Sequence, residues 1–233
     1  WANTVNKPDL VDIYRLVTDA QHKGMYRLDG EWRPFDRHTA KIAVRIWGPF
    51  TWTVKREVLW TVHGPVFDTP RGPVAIRYAG MGGVRAPLQY FRLNKARDLA
   101  EWKAAMALQA LPSINYIYAD ARGNIGYVYN GLFPLRKPGA DWSGELPGDR
   151  SDLVWTQVAP FAQTPQVWNP KGGLVFNSNN TPFVATAPEE GILRSSVPAT
   201  FGVQENMTNR AWRALETYGA DRSITREEFE AYK

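Results

Sequence analysis

Histidine, the side chain most often used as a catalytic base or a zinc ligand, occurs three times in this sequence. His22, His38 and His63 are widely separated, and no two of them have the spacing of a metal motif. The sequence also contains neither a G-x-S-x-G nucleophile turn nor a phosphate-binding G-x-x-x-x-G-K-[ST] loop. A zinc enzyme and a P-loop enzyme are therefore disfavoured, and we expect His63 to be a strand-end histidine that bonds to the backbone.

A cluster of asparagines is the most unusual polar feature. Asn177, Asn179 and Asn180 lie directly after the apolar segment 174–176, which the pattern predicts to be a short buried strand. Two interpretations fit these residues. Their amides could cap a turn, or they could donate hydrogen bonds to negative charge that develops on a carbonyl oxygen, as in an oxyanion hole. The residue types alone leave both open.

The elements that must position these residues change character along the chain. Alternating apolar and polar residues predict strands over 11–17, 51–62, 74–78, 113–118 and 125–129. The Asp29-Gly30 step predicts a hairpin turn. Helical spacing predicts helices over 94–110, over 207–217 and from 225 onward. The Pro-, Gly- and Trp-rich segment 133–171 is expected to be an ordered, packed loop. Together these patterns indicate an α+β class with largely antiparallel sheet.

Composition limits the function classes. Hydrophobic residues make up 44% of the chain and aromatic residues 13%, which fits a broad core or a pocket for an apolar ligand. The formal net charge is +5, but the basic residues are scattered, which argues against nucleic-acid binding. The absence of cysteine excludes disulfides, thiolate metal sites and a cysteine nucleophile. No apolar run approaches the roughly 20 residues that a membrane span requires.

Several segments together carry a resemblance to a known family. They are, in chain order, Trp1–Val5, Asp9–Leu16, Thr61–Val66, Asn94–Arg97 with Glu101-Trp102, Ile114–Asp120, Gly123–Tyr127, Trp168–Pro170 and Asn177–Pro182. Over nearly its whole length the chain resembles the β subunits of the penicillin-acylase family, which includes acyl-homoserine-lactone acylases and aculeacin A acylase. The resemblance implies a four-layer αββα N-terminal-nucleophile hydrolase fold. It also implies that residues 1–233 are a single segment, an internal portion of the β subunit of a heterodimer.

The resemblance implies an amidohydrolase. In that family the N-terminal serine of the β subunit attacks the amide, and its own α-amine acts as the base. Trp1 cannot be this nucleophile, and a C-terminal helix that begins near Thr225 also suggests a cut chain. The partners implied are the α subunit and the remaining β-subunit segments of the same precursor, including the N-terminal Ser segment. The expected location is periplasmic or secreted.

Matching positions imply roles for individual residues. Val5, through its backbone N–H, and Asn179, through its side chain, correspond to the family's oxyanion hole. Asn3, Tyr90 and Ile114 correspond to positions that line the acyl pocket. No cofactor is required, but Asp9, Val11, Asp12 and Glu190 resemble a structural calcium site, for which the alternative is that the aspartates cap a turn.

Substrate class is implied more loosely. Met207 falls about where penicillin G acylase has an arginine, and Val5 replaces an alanine of that enzyme. Both differences favour the branch that acts on fatty acyl chains. The expected substrates are small N-acylated molecules, either acyl-homoserine lactones or β-lactam antibiotics. A competing hypothesis is a secreted, aromatic-rich β module that binds carbohydrate or another ligand.

Overall fold

Runs of strands are followed by pairs of helices along the chain, as expected for an α+β protein. The structure is a computed structural model that describes residues 1–221 and 223–232. Its strands are β1 (Ala2–Thr4), β2 (Val11–Arg15), β3 (Met25–Leu28), β4 (Glu31–Pro34), β5 (Asp36–Trp47), β6 (Phe50–Trp60), β7 (Val66–Thr69), β8 (Gly72–Tyr78), β9 (Ser113–Ala119), β10 (Ile125–Gly131), β11 (Glu145–Pro147) and β12 (Gln166–Trp168). Its α-helices are α1 (Ala86–Lys95), α2 (Leu99–Met106), α3 (Asn209–Glu216) and α4 (Arg226–Ala231).

The chain forms two compact units. Unit 1 contains Trp1–Leu10, Gly82–Pro134 and the chain from Gln157 onward, and unit 2 contains Val11–Met81 and Leu135–Thr156. None of the described helices is both long and apolar enough to cross a membrane.

Unit 1 is built on an antiparallel sheet with the strand order β1-β9-β10-β12. Side chains alternate between the two faces of a strand, so Tyr116 and Tyr118 of β9 share one face while Asn115 lies on the other. The core on the tyrosine face includes Trp102 and Met106 of α2, each no more than 1% exposed. Asn115 shares its face with the buried Tyr127 and Tyr129 of β10.

Unit 2 contains a second sheet with the order β11-β2-β8-β7, in which only the β11–β2 pair is parallel. Its core includes Tyr14, Leu146 and Trp155. The predicted turn is confirmed, because Asp29 and Gly30 join β3 to β4 with φ of 50° and 85°. Asp and Gly tolerate this left-handed region better than other residues, which is why they specify the turn.

His63 lies in the core of unit 2, with its ring 4.5 Å from that of Tyr14. Burial, followed by the charge of Arg77, lowers the pKa of His63 to about 4. The expected bond from its side chain to the backbone is wrong. Nδ1 instead lies 3.3 Å from Thr61 Oγ1, and Nε2 has no partner among the described residues. His63 is therefore a neutral core residue.

The helix predicted over 94–110 is wrong in its extent. The structure has two helices here, because Ala96 is extended and Asp98 begins α2 with φ −156° and ψ 176°. The Asp98 carboxylate accepts a hydrogen bond of 2.9 Å from the Glu101 N–H. An aspartate that caps a new helix must itself be extended, so it cannot continue the preceding helix. The residues on both sides favour helix, but they form two helices and not one.

The strand predicted over 174–176 is also wrong. The segment has no ladder; instead the Phe176 N–H donates to the Ala185 carbonyl at 3.0 Å, and the Thr186 hydroxyl donates to the Leu174 carbonyl at 2.7 Å. Apolar residues are held here by a loop rather than by a sheet. Elsewhere the strands predicted from alternation are found, and the packed segment 133–171 contains the short strands β11 and β12.

Candidate functional site

The asparagine cluster forms a tight turn in unit 1. Asn179 has φ of +62°, in the left-handed region that asparagine tolerates better than most residues. Its backbone N–H donates to Asn177 Oδ1 at 2.9 Å, two residues earlier, which is the hydrogen bond of an Asx turn. The capping role therefore belongs to Asn177, and the side chain of Asn179 is left to act elsewhere.

A network of hydrogen bonds anchors this turn to the sheet of unit 1. Asn177 Oδ1 also accepts hydrogen bonds from the Thr4 hydroxyl at 2.5 Å and from Asn115 Nδ2 at 3.0 Å. The Tyr127 hydroxyl donates to Asn115 Oδ1 at 2.8 Å, and both residues are buried. Burial raises the pKa of Tyr127 well above its ordinary value, so its hydroxyl keeps the proton that it donates. The turn is thus held by three neighbouring strands.

The side chain of Asn179 is oriented by one partner at each end of its amide. Nδ2 donates to the Val5 carbonyl at 2.8 Å, and Oδ1 accepts from Arg210 Nη2 at 2.7 Å. Because a guanidinium can only donate, it selects the orientation in which the amide nitrogen points toward Val5. Nδ2 carries two hydrogens and Val5 uses one, so the other can be donated to a substrate.

The backbone N–H of Val5 is the second predicted donor. Val5 follows β1 and is 65% exposed. Within the described part of the chain its N–H donates to no group. The free N–H thus belongs to Val5, the same residue whose carbonyl accepts the hydrogen bond from the oriented Asn179 amide. An oxyanion hole requires two such neutral donors, fixed before the reaction starts. Their role in catalysis stays a prediction.

A polar cleft of about 350 Å³ opens beside these donors. It is lined by Val5, Asn6, Lys7, Asn115, Tyr129, Asn179, Asn180, Gln204, Asn206 and Thr208. Eight of these ten residues carry a side-chain amide or hydroxyl, and no carboxylate contributes to the lining. Burial raises the pKa of Tyr129 to about 12, so its phenol is neutral.

The three residues predicted to line the acyl pocket lie on the opposite, aromatic face of the same sheet. Asn3 is directly across from Tyr116 in the β1–β9 ladder, and Ile114 is two residues from Tyr116. Tyr90 and Ile114 pack against the core cluster that contains Tyr116. The ring of Trp1, 39% exposed, lies 6.1 Å from that of Tyr90. These residues share an apolar neighbourhood, but their contact with an acyl group stays a prediction.

Arg210 is the functional candidate that the sequence did not reveal. It lies 31 residues from Asn179 in the chain and near the start of α3, where a basic residue carries no specific signal. The expectation drawn from Met207 stays a prediction. The sequence alone does not show which residue near the start of α3 would reach the Asn179 amide.

The predicted calcium residues already have protein partners. The buried carboxylate of Asp12 accepts hydrogen bonds from Arg136 Nε at 3.1 Å and from Trp155 Nε1 at 2.6 Å in unit 2. Glu190 in unit 1 accepts from the backbone N–H groups of Lys171 and Gly172 at 2.5 and 2.7 Å. Among the described residues no group of three or more His, Cys, Asp or Glu could hold a metal.

These donors already engage Asp12 and Glu190, and calcium binding stays a prediction. Asp9 makes a further interaction of its own, and Asp9 and Val11 with the two carboxylates stay a predicted ligand set. Metal analysis of the purified protein would test it.

Comparison with known proteins gives a consistent result. The family model for penicillin amidase matches residues 1–233. Penicillin G acylase of Escherichia coli is 34% identical over 187 residues, which are 78% of this chain and 21% of that protein. Acyl-homoserine lactone acylase PvdQ of Pseudomonas putida is 28% identical over 142 residues, covering 58% of this chain and 18% of that protein.

Among solved structures, the thermostable penicillin G acylase from Alcaligenes faecalis matches with a TM-score of 0.77 and 26% identity. The match covers 100% of this chain and 40% of the other. It confirms the predicted fold class, that of an N-terminal-nucleophile hydrolase with helices and antiparallel sheets. This chain spans about a fifth of the length of the relatives that it matches by sequence.

Proposed function

Because the chain belongs to the penicillin amidase family, we propose that it is part of an enzyme that hydrolyses N-acyl amides. We further propose that Asn179 and the backbone N–H of Val5 form the oxyanion hole of that enzyme. The observation that carries this proposal is the double restraint on the Asn179 amide, between the Val5 carbonyl at 2.8 Å and Arg210 at 2.7 Å. Such a restraint costs conformational entropy during folding and makes a donor rigid.

The proposed chemistry assigns the nucleophile to a separate segment of the same precursor. An N-terminal serine would attack the amide carbonyl, with its own α-amine as base. Negative charge would then develop on the carbonyl oxygen, where Asn179 and Val5 donate hydrogen bonds. The amine would leave, and water would hydrolyse the acyl-enzyme. A single donor of this kind typically contributes about 3 kcal/mol to lowering the barrier.

The two faces of the sheet support a division of the substrate into two halves. The partly exposed rings of Trp1 and Tyr90, 6.1 Å apart, suit a long apolar or arylacetyl acyl group. The polar cleft suits the amine half. Relatives named for penicillin G and for acyl-homoserine lactones suggest a β-lactam nucleus or a homoserine lactone as the leaving amine.

The test is amine release by the full-length, processed enzyme from penicillin G and from a series of acyl-homoserine lactones. We expect hydrolysis of at least one of them, and we expect Asn179→Ala to lower kcat by about 10²- to 10³-fold. Asn94→Ala is a matched control, because Asn94 is exposed on α1 and has no place in the site. Full activity of Asn179→Ala would remove the proposed role of this amide.

A further inference from the structure

Asn115 lies at the centre of the hydrogen-bond network behind the proposed oxyanion hole. It belongs to β9 and is directly opposite Thr4 in the β1–β9 ladder, so it stands beside the point where the chain leaves β1 for Val5. Asn115 borders the cleft but is only 1% exposed, so it offers a substrate almost no surface. Any influence of Asn115 on catalysis therefore passes through the residues that it holds.

Asn115 and Asn179 donate hydrogen bonds to the same two oxygen atoms. The Val5 carbonyl accepts from Asn115 Nδ2 at 3.3 Å and from Asn179 Nδ2 at 2.8 Å. Asn177 Oδ1 accepts from Asn115 Nδ2 at 3.0 Å and from the Asn179 backbone N–H at 2.9 Å. One buried amide thus joins the end of β1 to the asparagine turn, and these two segments supply the proposed oxyanion donors.

The hydroxyl of Tyr127 determines which end of the Asn115 amide faces those two acceptors. It donates to Asn115 Oδ1 at 2.8 Å, and the side chains of both residues are buried. Because burial raises the pKa of Tyr127 well above its ordinary value, the phenol stays protonated, and the amide oxygen is the end of Asn115 that can accept from it. The amide nitrogen of Asn115 is therefore directed toward Val5 and Asn177.

We propose that Asn115 is a positioning residue that sets the spacing of the two oxyanion donors, and that Tyr127 orients it. The inference rests on the proposed function and adds residues that act on the donors without touching the substrate. A donor must lie at the right distance before the reaction starts, and a misplacement of about 1 Å can lower the rate by as much as about 10²-fold. The Asn179 amide keeps Arg210 as a second restraint, so we expect Asn115→Ala to lower kcat roughly 10- to 30-fold.

The test is steady-state kinetics of the full-length processed enzyme, with rates expressed per titrated active site. Tyr127→Phe removes the orienting hydroxyl but keeps the ring, and it should lower kcat roughly three- to tenfold. In both variants KM should change little, because the donors act on charge that develops in the transition state. Tyr127→Phe also keeps the test available if Asn115→Ala does not fold.

Tyr14→Phe is a matched control. The Tyr14 hydroxyl is also buried and donates to the Leu153 carbonyl at 2.9 Å in unit 2, so this variant loses a comparable hydrogen bond outside the site. It should keep the wild-type kcat. Wild-type kcat in Tyr127→Phe and Asn115→Ala would overturn the proposal. An equal fall of kcat in Tyr14→Phe would overturn it too, because the loss would then follow stability and not donor position.

A crystal structure of full-length Asn115→Ala adds a readout that needs no activity. We expect the contact from Asn179 Nδ2 to the Val5 carbonyl, 2.8 Å in the wild type, to lengthen beyond about 3.5 Å, and an unchanged contact would overturn the proposal. If the wild-type enzyme hydrolyses no N-acyl amide, the proposed function falls, and the crystal structure still decides whether Asn115 positions Asn179. If hydrolysis occurs and depends on Asn179 but not on Asn115, only the positioning role falls.

Discussion

Replacing Arg210 tests how the chain prepares its proposed oxyanion donor. Arg210→Met removes the guanidinium that lies 2.7 Å from Asn179 Oδ1 while it keeps most of the side-chain bulk. The hydrogen bond from Nδ2 to the Val5 carbonyl then remains to orient the side-chain amide of Asn179. The loss affects both the orientation of the amide and the polarisation of its N–H groups.

The size of the effect can be worked out from these contacts. Hydrogen bonds to charged groups contribute about 1.5–3 kcal/mol, but Arg210 is exposed, which reduces the value to about 1 kcal/mol. If this stabilisation is used in the transition state, its loss lowers kcat about fivefold. Arg210→Lys, which keeps the charge without the planar fork, should lose less.

Steady-state kinetics with the processed enzyme would measure the effect. We expect kcat to fall and KM to change little, because the donor acts mainly on charge that develops in the transition state. Combining Arg210→Met with Asn179→Ala should cause no further loss beyond that of Asn179→Ala alone. Equal losses from Arg210→Met in both backgrounds would show that Arg210 acts independently of Asn179, and the reasoning would be refuted.

Three further predictions concern stability, each measured by urea unfolding. The pKa of His63 is about 4 in the folded chain and 6.5 in the unfolded chain, so between these pH values only the unfolded chain takes up the proton. The free energy of unfolding should therefore fall by about 3 kcal/mol as the pH drops from 6.5 to 4. His63→Phe should remove this part of the pH dependence, and an unchanged slope would contradict it. Arg136→Met should cost about 3 kcal/mol or more because it leaves the buried Asp12 carboxylate without its cation; adding Asp12→Asn should recover part of the loss, and no recovery would show that the charge is not the cause. Gly64 has φ of +145°, and a Cβ there would lie 2.0 Å from the carbonyl oxygen of Ile76, so Gly64→Ala should cost on the order of 2 kcal/mol or more, and wild-type stability would refute this.

Local patterns predicted much of the fold because local chemistry determines it. Alternation predicted β2 and β8 of one sheet and β9 and β10 of the other, but not the short strands β1, β7, β11 and β12. Asp29-Gly30 specifies its turn through two left-handed residues. The break between α1 and α2 was missed because Asp98 lies within a run of good helix formers, and only its capping geometry shows that it begins a new helix. Residues 174–176 have the apolar composition of a buried strand but pair with no other strand among the described residues.

The candidate site could be predicted in part from the sequence, because the asparagine cluster is a local pattern. The asparagine cluster was visible as a run of amides; the turn cap is Asn177, and the oxyanion role is proposed for Asn179. Its supports were not visible, because Asn115 lies 62 residues from Asn177, and Arg210 lies 31 residues from Asn179. Long-range pairs of this kind depend on how the loops are folded back on the sheet, which no local pattern encodes.

A crystal structure of the processed enzyme with a tetrahedral boronate or phosphonate mimic of the transition state would test the central claim most directly. The account predicts one oxygen of the mimic about 2.7–3.1 Å from both Asn179 Nδ2 and the backbone nitrogen of Val5, with Arg210 still bound to Asn179 Oδ1. An oxygen held by other donors, with the Asn179 amide turned away from it, would contradict the account.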